Sequence, residues 1–194
     1  MPNVDLNGAI SAALNGNVIS FPTDTVPALA TLPAHAALIF ETKQRSQAKP
    51  LILMVGEVAD LWQFTTGSDR ELAIWQAVAE RYFPGALTLV LPASELIPAV
   101  MNPLGTHTIG LRVPGCEIAR TILRQTGALA TTSANLSGEP PLLAMSDIGK
   151  QFPHVFTLNV DVIPTSPQPS TVIQWHGSGW QLIRQGAIEF VDLD

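Results

Sequence analysis

Charged residues and cysteine are scarce in this sequence. Lysine, arginine, aspartate and glutamate together make up 13% of the 194 residues, whereas about a quarter is usual, and hydrophobic residues make up 46%. This balance excludes a disordered chain and a coiled coil, and it favours a compact α/β protein with a large buried sheet. The single cysteine, Cys116, excludes an internal disulfide and favours a reducing, cytoplasmic compartment.

Signals for export and membrane insertion are also missing. Residues 1–16 lack the basic start and continuous apolar run of a signal peptide. No stretch reaches the ~20 apolar residues that a spanning helix needs, so we expect no membrane partner. The net charge of −6 argues against a general nucleic-acid binder, and only a local basic patch could contact RNA.

Standard nucleotide-binding and hydrolase motifs do not occur. There is no GxxxxGK[ST] loop, no GxGxxG turn and no GxSxG elbow. The histidines His35, His107, His154 and His176 lie far apart and lack the spacing of metal ligands. We therefore expect no metal site in the protein itself.

Apolar periodicity and turn residues predict alternating helices and strands. The helices are expected over Leu6–Leu14, Ala34–Lys43, Asp69–Tyr82, Cys116–Gln125 and Met145–Phe152, the last capped by Ser146. The strands are expected over Val18–Phe21, Leu51–Val55, Leu87–Leu91, Thr108–Val113, Ala128–Thr132, Phe156–Val162, Thr171–Trp175 and Trp180–Ile183. This alternation predicts a mixed, twisted sheet flanked by helices, and the terminal hairpin argues against an all-parallel sheet. We expect residues 1–194 to form a single domain.

Polar residues follow or end several of the predicted strands. Thr23–Thr25 comes directly after the first strand, and Thr132–Asn135 ends and follows a later one. Arg112 lies near the end of a third strand. Because the ligands of open α/β sheets gather at strand ends, we expect these segments to line one pocket.

The few basic residues concentrate near these segments. Five of the ten lysines and arginines lie in or beside them, namely Lys43, Arg45, Lys49, Arg112 and Arg184. Such a cluster suits a phosphate chain, because lysine acts as a point charge and arginine as a two-pronged donor. Ser133 and Asn135 could fix its orientation. Taken singly, the same residues also fit helix-end charges, a turn or cap, or a surface ion pair.

Seven short motifs, in this order, resemble the YrdC/Sua5 family. They are Phe21-Pro22-Thr23-Asp24-Thr25-Val26, Lys43-Gln44-Arg45 with Lys49-Pro50-Leu51, Pro84-Gly85-Ala86-Leu87-Thr88-Leu89, Gly110-Leu111-Arg112-Val113-Pro114, Thr132-Ser133-Ala134-Asn135-Leu136-Ser137-Gly138, Ser170-Thr171-Val172-Ile173 and Arg184-Gln185-Gly186-Ala187-Ile188. Any one motif is weak, whereas seven in order across nearly the whole chain are specific. The length resembles that of the short form of the family.

The resemblance implies a YrdC-like twisted open sheet with a concave, basic cavity. It also implies synthesis of L-threonylcarbamoyladenylate from L-threonine, bicarbonate and ATP with Mg²⁺, as the first step of the t6A modification of tRNA. Downstream transferase proteins would receive the adenylate. The implied residue roles are phosphate binding and catalysis by Lys43 and Arg45, nucleotide binding by Ser133, Asn135 and Arg184, and threonine binding by Thr23, Thr25, Arg112 and Ser170.

Three segments depart from the family pattern. Pro27-Ala28 replaces Tyr-Gly after the opening motif, which removes an amide donor and an aromatic wall. Pro140–Leu143 replaces a Ser-Pro-Thr-like segment, and Gln174 stands where an acid is frequent. One alternative is therefore a catalytically degenerate paralogue that binds tRNA, double-stranded RNA or the ribosome through the same cavity. A third interpretation is a substrate-binding module of a carbamoyltransferase-type enzyme.

Overall fold

The computed structural model describes residues 2–44, 50–160 and 166–192, and the strands within them form one ten-stranded sheet. The strands are β1 (Asn3–Val4), β2 (Ile19–Phe21), β3 (Ala28–Thr31), β4 (Ile52–Met54), β5 (Leu87–Pro92), β6 (Thr108–Arg112), β7 (Leu129–Ser133), β8 (Phe156–Leu158), β9 (Thr171–Trp175) and β10 (Trp180–Arg184). Their order across the sheet is β1-β8-β2-β3-β7-β4-β6-β5-β9-β10. The β1–β8, β8–β2, β4–β6 and β5–β9 pairs are parallel and the others are antiparallel, which confirms the predicted mixed sheet.

The helices of the described ranges flank this sheet. They are α1 (Leu6–Leu14), α2 (Ala37–Thr42), α3 (Asp69–Tyr82), α4 (Glu117–Thr126) and α5 (Met145–Gln151). Short 3₁₀ segments cover Pro33–His35, Val58–Phe64 and Ala99–Met101. None of the helices in these ranges has the length and apolar character needed to cross a membrane.

Side-chain caps fix the starts of two of the five described helices, α1 and α3, whereas α2, α4 and α5 begin without a side-chain capping bond. Asp5 caps α1 by accepting a hydrogen bond from the Gly8 amide at 2.8 Å, and Ser68 and Glu71 form a reciprocal capping box at α3. At α5 the N-cap is Ala144, whose side chain makes no capping bond. The predicted Ser146 cap is wrong, because the backbone is already helical at Met145 and Ser146 lies inside the first turn.

The apolar core has two parts, one on each face of the sheet. Residues of α1, α4 and α5 build the first part, and residues of α2 and α3 build the second. Successive side chains of β4 point to opposite faces, so Met54 joins the first part and Leu53 the second. Trp75 of α3 is fully buried in the second part.

Most predicted elements are present, with ends that differ by one or two residues. The prediction of one helix over Ala34–Lys43 is wrong in its first turn, because Pro33 opens a separate 3₁₀ segment before the shorter α2. The strands β1 and β3 were not expected from the sequence, since both are short and β3 has little β preference. The strand predicted over Phe156–Val162 ends at Leu158, and residues 161–162 lie outside the described residues.

Candidate functional site

A cavity of about 170 Å³ opens where β3, β4, β6 and β7 meet the segment before β9 and the end of β10. Its wall combines hydroxyl, guanidinium and apolar side chains. The wall residues are Thr25, Val26, Ala28, Pro50, Ile52, Met54, Arg112, Thr131, Thr132, Ser133, Pro169, Ser170 and Arg184. Strand pairing builds this wall, since it sets Ala28 opposite Ser133 and Met54 beside Arg112.

Arg112 is anchored at the cavity wall by three hydrogen bonds. Its Nε donates to the Gly85 carbonyl at 3.0 Å and its Nη1 to Thr25 Oγ1 at 2.9 Å. Its Nη2 donates to Asp24 Oδ1 at 2.8 Å, which makes an ion pair. Burial lowers the pKa of Arg112, and the Asp24 carboxylate acts in the opposite direction. The side chain is 3% exposed and is therefore held in one orientation.

The turn after β2 supplies two of the three acceptors for Arg112, Thr25 and Asp24. Thr23 Oγ1 donates to the Val26 carbonyl at 2.8 Å and lies 3.1 Å from Thr25 Oγ1, so it fixes the turn. Asp24 Oδ1 accepts a second hydrogen bond, from the Gly115 amide at 2.9 Å. Thr23 is almost fully buried and lies behind the wall, whereas Thr25 lies on it.

The departure at Pro27-Ala28 lies next to the wall. Pro27 has no amide donor, but its carbonyl accepts a hydrogen bond from the Ala134 amide at 2.9 Å. Val26 and Ala28, on either side of it, line the cavity. The substitution therefore leaves the pairing of this loop with the segment after β7 in place.

Arg184 reaches the cavity from β10. Its Nε and Nη2 donate to the Ser170 carbonyl at 3.2 and 2.8 Å. Ser170 Oγ shares a 2.8 Å hydrogen bond with Thr88 Oγ1, which is buried in β5. Desolvation by partial burial lowers the pKa of Arg184. Within the described ranges no carboxylate pairs with Arg184, so its charge faces the cavity without a counter-ion.

Lys43 lies directly behind Ser133. Its Nζ donates to the Ser133 carbonyl and, at 3.0 Å, to Asn135 Oδ1. Asn135 Oδ1 also accepts from Ser133 Oγ at 2.6 Å. Lys43 is only 2% exposed, and Ser133, which it contacts, lies between it and the cavity.

A larger and more apolar cavity of about 580 Å³ adjoins the first along the same sheet face. The two cavities share Pro50, Ile52 and Arg184. Strand residues line most of the larger cavity, among them Thr88, Val90, Gly110, Val172 and Gln174. A ligand with a charged end and an apolar end could therefore lie across both.

The site residues predicted from the sequence fall into three groups. Five lie on the wall of the smaller cavity, namely Thr25, Arg112, Ser133, Ser170 and Arg184. Thr23, Lys43 and Asn135 lie behind that wall. Arg45 and Lys49 lie outside the described residues. The structure brings the described segments together, and the roles of the individual side chains stay predictions.

Several residues that line the two cavities are not among the site residues predicted from the sequence. Thr131 has a signal, because it alternates with Ser133 along β7 and forms a polar face in a buried strand. Thr88, on the wall of the larger cavity, also has a recognisable pattern, as a hydroxyl-bearing residue in an apolar strand. Ile52 and Met54 have none, since an apolar residue on a cavity wall has the same pattern as a core residue.

A protein-held metal does not fit the cavity. No acidic side chain lies on the described wall, and Asp24 behind it is engaged by Arg112 and Gly115. Nowhere in residues 2–44, 50–160 and 166–192 do three histidine, cysteine or acidic side chains group to hold a metal ion.

Comparison with known proteins identifies the family. Residues 11–186 match the Sua5_yciO_yrdC family model, which is described as "Telomere recombination". Threonylcarbamoyl-AMP synthase of Chromohalobacter salexigens is 30% identical over 169 residues, which cover 84% of this chain and 89% of that protein. The chain therefore belongs to the Sua5/YciO/YrdC family.

Longer relatives and a solved structure agree with this assignment. Threonylcarbamoyl-AMP synthase of Mus musculus is 33% identical over 154 residues, which cover 77% of this chain and 53% of that protein. The chain thus spans about half the length of this relative. The structure of Pyrococcus abyssi Sua5 complexed with L-threonine has a TM-score of 0.84 at 30% identity, covering 93% of this chain and 54% of that one. This likeness confirms the predicted fold class.

Proposed function

We propose that this chain synthesises L-threonylcarbamoyladenylate from L-threonine, bicarbonate and ATP. The observation that carries the proposal is that Arg112 and Arg184 face one cavity lined with hydroxyl groups. The reaction joins a carbamate to a triphosphate, and both are anions that repel each other. The main tasks of the protein are therefore charge neutralisation and alignment, for which these side chains suffice. The names of the relatives and the threonine complex of P. abyssi Sua5 support the same substrates.

The proposed reaction has two steps. The amine nitrogen of threonine forms a bond to the carbon of carbon dioxide with release of a proton, or to the carbon of bicarbonate with release of water, and gives a carbamate. A carbamate oxygen then attacks the α-phosphorus of ATP, the bond from that phosphorus to the bridging oxygen breaks, and pyrophosphate leaves with the electron pair. In this scheme Arg112 and Thr25 bind the threonine carboxylate, and no side chain acts as a nucleophile.

The nucleotide is assigned to the larger cavity and its junction with the smaller one. Arg184 and Ser133 bind phosphate oxygens, and the apolar cavity accepts the nucleoside. Lys43 contributes its charge through Ser133, and it contacts a phosphate directly only when its Nζ leaves Asn135. The phosphate-binding role of Arg45 stays a prediction, and Mg²⁺ is held by the triphosphate and water.

The test is formation of a labelled adenylate. Purified protein is incubated with ATP, Mg²⁺, L-threonine and isotope-labelled bicarbonate, and the adenylate and pyrophosphate are measured together. We expect both products in equal amounts, and neither when any one substrate is left out. Arg112→Ala should lower the rate by at least about a hundredfold, whereas Lys150→Ala, at an exposed position of α5, should not.

The same experiment decides against the alternative function. A catalytically degenerate paralogue would form no adenylate and would bind tRNA or double-stranded RNA with a steep dependence on salt.

In the proposed pathway the adenylate passes to downstream transferase proteins that modify tRNA. We also propose that residues 1–194 act as one domain, which is supported by the pairing of all described strands in one sheet.

A further inference from the structure

The two arginines of the cavity differ in whether a carboxylate pairs with them. Arg112 is paired with the Asp24 carboxylate, whereas Arg184 has no carboxylate partner among the residues that the structure describes. Both guanidinium groups line the same cavity, and the positive charge of Arg184 contributes to the lowering of the pKa of Arg112, after the larger effect of burial. Asp24 is therefore the acid that offsets this repulsion before a substrate binds.

Two N–H donors of Arg112 remain after its hydrogen bonds to the described residues are counted. A guanidinium group carries five N–H groups. Gly85, Thr25 and Asp24 accept from one each, so one N–H on Nη1 and one on Nη2 have no acceptor in the described part of the chain. Two N–H groups on a guanidinium are the number that one carboxylate accepts in a bidentate contact.

We propose that Asp24 is a positioning residue that aims Arg112 at the α-carboxylate of the amino-acid substrate. The identity of that substrate rests on the proposed function. Asp24 Oδ1 holds Nη2 of Arg112 at 2.8 Å and is itself anchored by the Gly115 amide at 2.9 Å. An anchored carboxylate orders the guanidinium before binding, so the substrate does not bear the entropic cost of ordering it.

The variant that tests this role is Asp24→Asn, which keeps the side-chain shape and removes the charge. We expect the Kd and KM for threonine to rise about tenfold or more, the effect of one misplaced charge-assisted hydrogen bond. The KM for ATP should change less than about twofold, because the phosphates are assigned to Arg184. If the only role of Asp24 were to lower the positive electrostatic potential of the cavity, Asp24→Asn would tighten threonine binding. That result would overturn the proposal.

Two further variants separate positioning from a merely structural role. Glu57→Gln is the matched control, because it removes the charge from an acid that pairs with Arg120 and Arg124 away from the cavity wall, and we expect both KM values to stay unchanged. Asp24→Glu keeps the charge but displaces the oxygens, so its threonine Kd should lie between wild type and Asp24→Asn. A lower thermal midpoint with equal changes in both KM values would show a structural role only and contradict the proposal.

A readout independent of activity is the NMR signal of the Arg112 Nε–H group, which donates to the Gly85 carbonyl. We expect this signal to be shifted or broadened in Asp24→Asn and unchanged in Glu57→Gln. If wild-type protein neither binds threonine nor forms adenylate, the proposed function fails, and the signal still reports whether Asp24 holds Arg112. An unchanged signal in Asp24→Asn would overturn the positioning role.

Discussion

At the scale of single residues, the two arginines of the cavity differ in their electrostatic surroundings. The charge of Arg112 is offset by Asp24, whereas Arg184 donates only to Ser170 among the described residues. An uncompensated cation attracts the more highly charged of two anions more strongly. In the proposed function Arg184 is therefore assigned to the triphosphate, and the oriented, charge-paired Arg112 to a single carboxylate.

Replacement of Arg184 by glutamine should weaken ATP binding far more than threonine binding. We expect the KM for ATP to rise roughly tenfold to a hundredfold, because a hydrogen bond to a charged group contributes about 1.5–3 kcal/mol. Steady-state assays that vary one substrate at a time measure the change. Lys150→Gln, whose lysine is exposed on α5, is the control. An equal rise in the KM for threonine would count against the division of tasks.

Thr88→Val tests the hydroxyl group behind Arg184. Valine matches threonine in shape but lacks Oγ1, which lies 2.8 Å from Ser170 Oγ in a buried position. We expect a loss of about 1 kcal/mol of stability in urea unfolding and a higher KM for ATP, because Ser170 then holds Arg184 less firmly. Thr126→Val is the control, since that hydroxyl bonds the Ile122 carbonyl within α4. ATP kinetics equal to those of the control would refute the positioning effect.

At the scale of elements, the sequence predicts those with strong local signals. The helix α3 has the predicted ends because Ser68 and Glu71 form a capping box and Pro84-Gly85 follows its end. The strand β3 reads Ala-Leu-Ala-Thr, which has little β preference, and it is a strand because β2 and β7 pair with it. Ala28 of β3 lines the cavity, so a sequence interpretation that does not predict this strand also does not predict this part of the wall.

An exposed ion-pair network joins α4 to the segment before the 3₁₀ turn at Val58. The Glu57 carboxylate accepts from Arg124 at 2.6 Å and from Arg120 at 2.9 Å. The hydrogen bond from Arg124 holds the pKa of Glu57 below its ordinary value, and desolvation opposes it. A folded-state pKa that is lowered gives stability above the unfolded-state pKa, about 4.3, and this stability is lost as the pH falls through the lowered value.

The Glu57→Gln variant should therefore be less stable than wild type above about pH 5. The difference should not exceed about 1 kcal/mol, because the network is exposed to solvent. It should shrink as the pH falls below about 4, where wild type protonates the same group. Unfolding of both proteins in urea across this pH range measures the difference. A gap that does not depend on pH would show that Glu57 acts through packing and not through charge.

At the scale of the whole molecule, the site exists only in the folded chain. Lys43 and Ser133 are 90 residues apart in sequence, yet they share hydrogen bonds behind the wall. Sequence motifs could indicate which segments meet, because each supplies polar residues at a strand end. They could not indicate that Lys43 and Asn135 lie behind the wall while Thr131 lies on it, since that depends on strand register and on which face a side chain takes.

Ligand binding should stabilise the whole fold, because the wall runs from Thr25 to Arg184 in sequence. A ligand that binds only the folded state adds about 2.7 kcal/mol at about a hundred times its Kd, which in a chain of this length raises the Tm by about 5–10 °C. We expect a non-hydrolysable ATP analogue to give such a rise in wild type and in Lys150→Gln, and Arg184→Gln to lose about half of it or more. Asp24→Asn should keep the rise with the ATP analogue but lose about half or more of the smaller one with threonine. Scanning calorimetry with titrated ligand measures these shifts, and equal shifts in wild type and Arg184→Gln would show that ATP binds elsewhere.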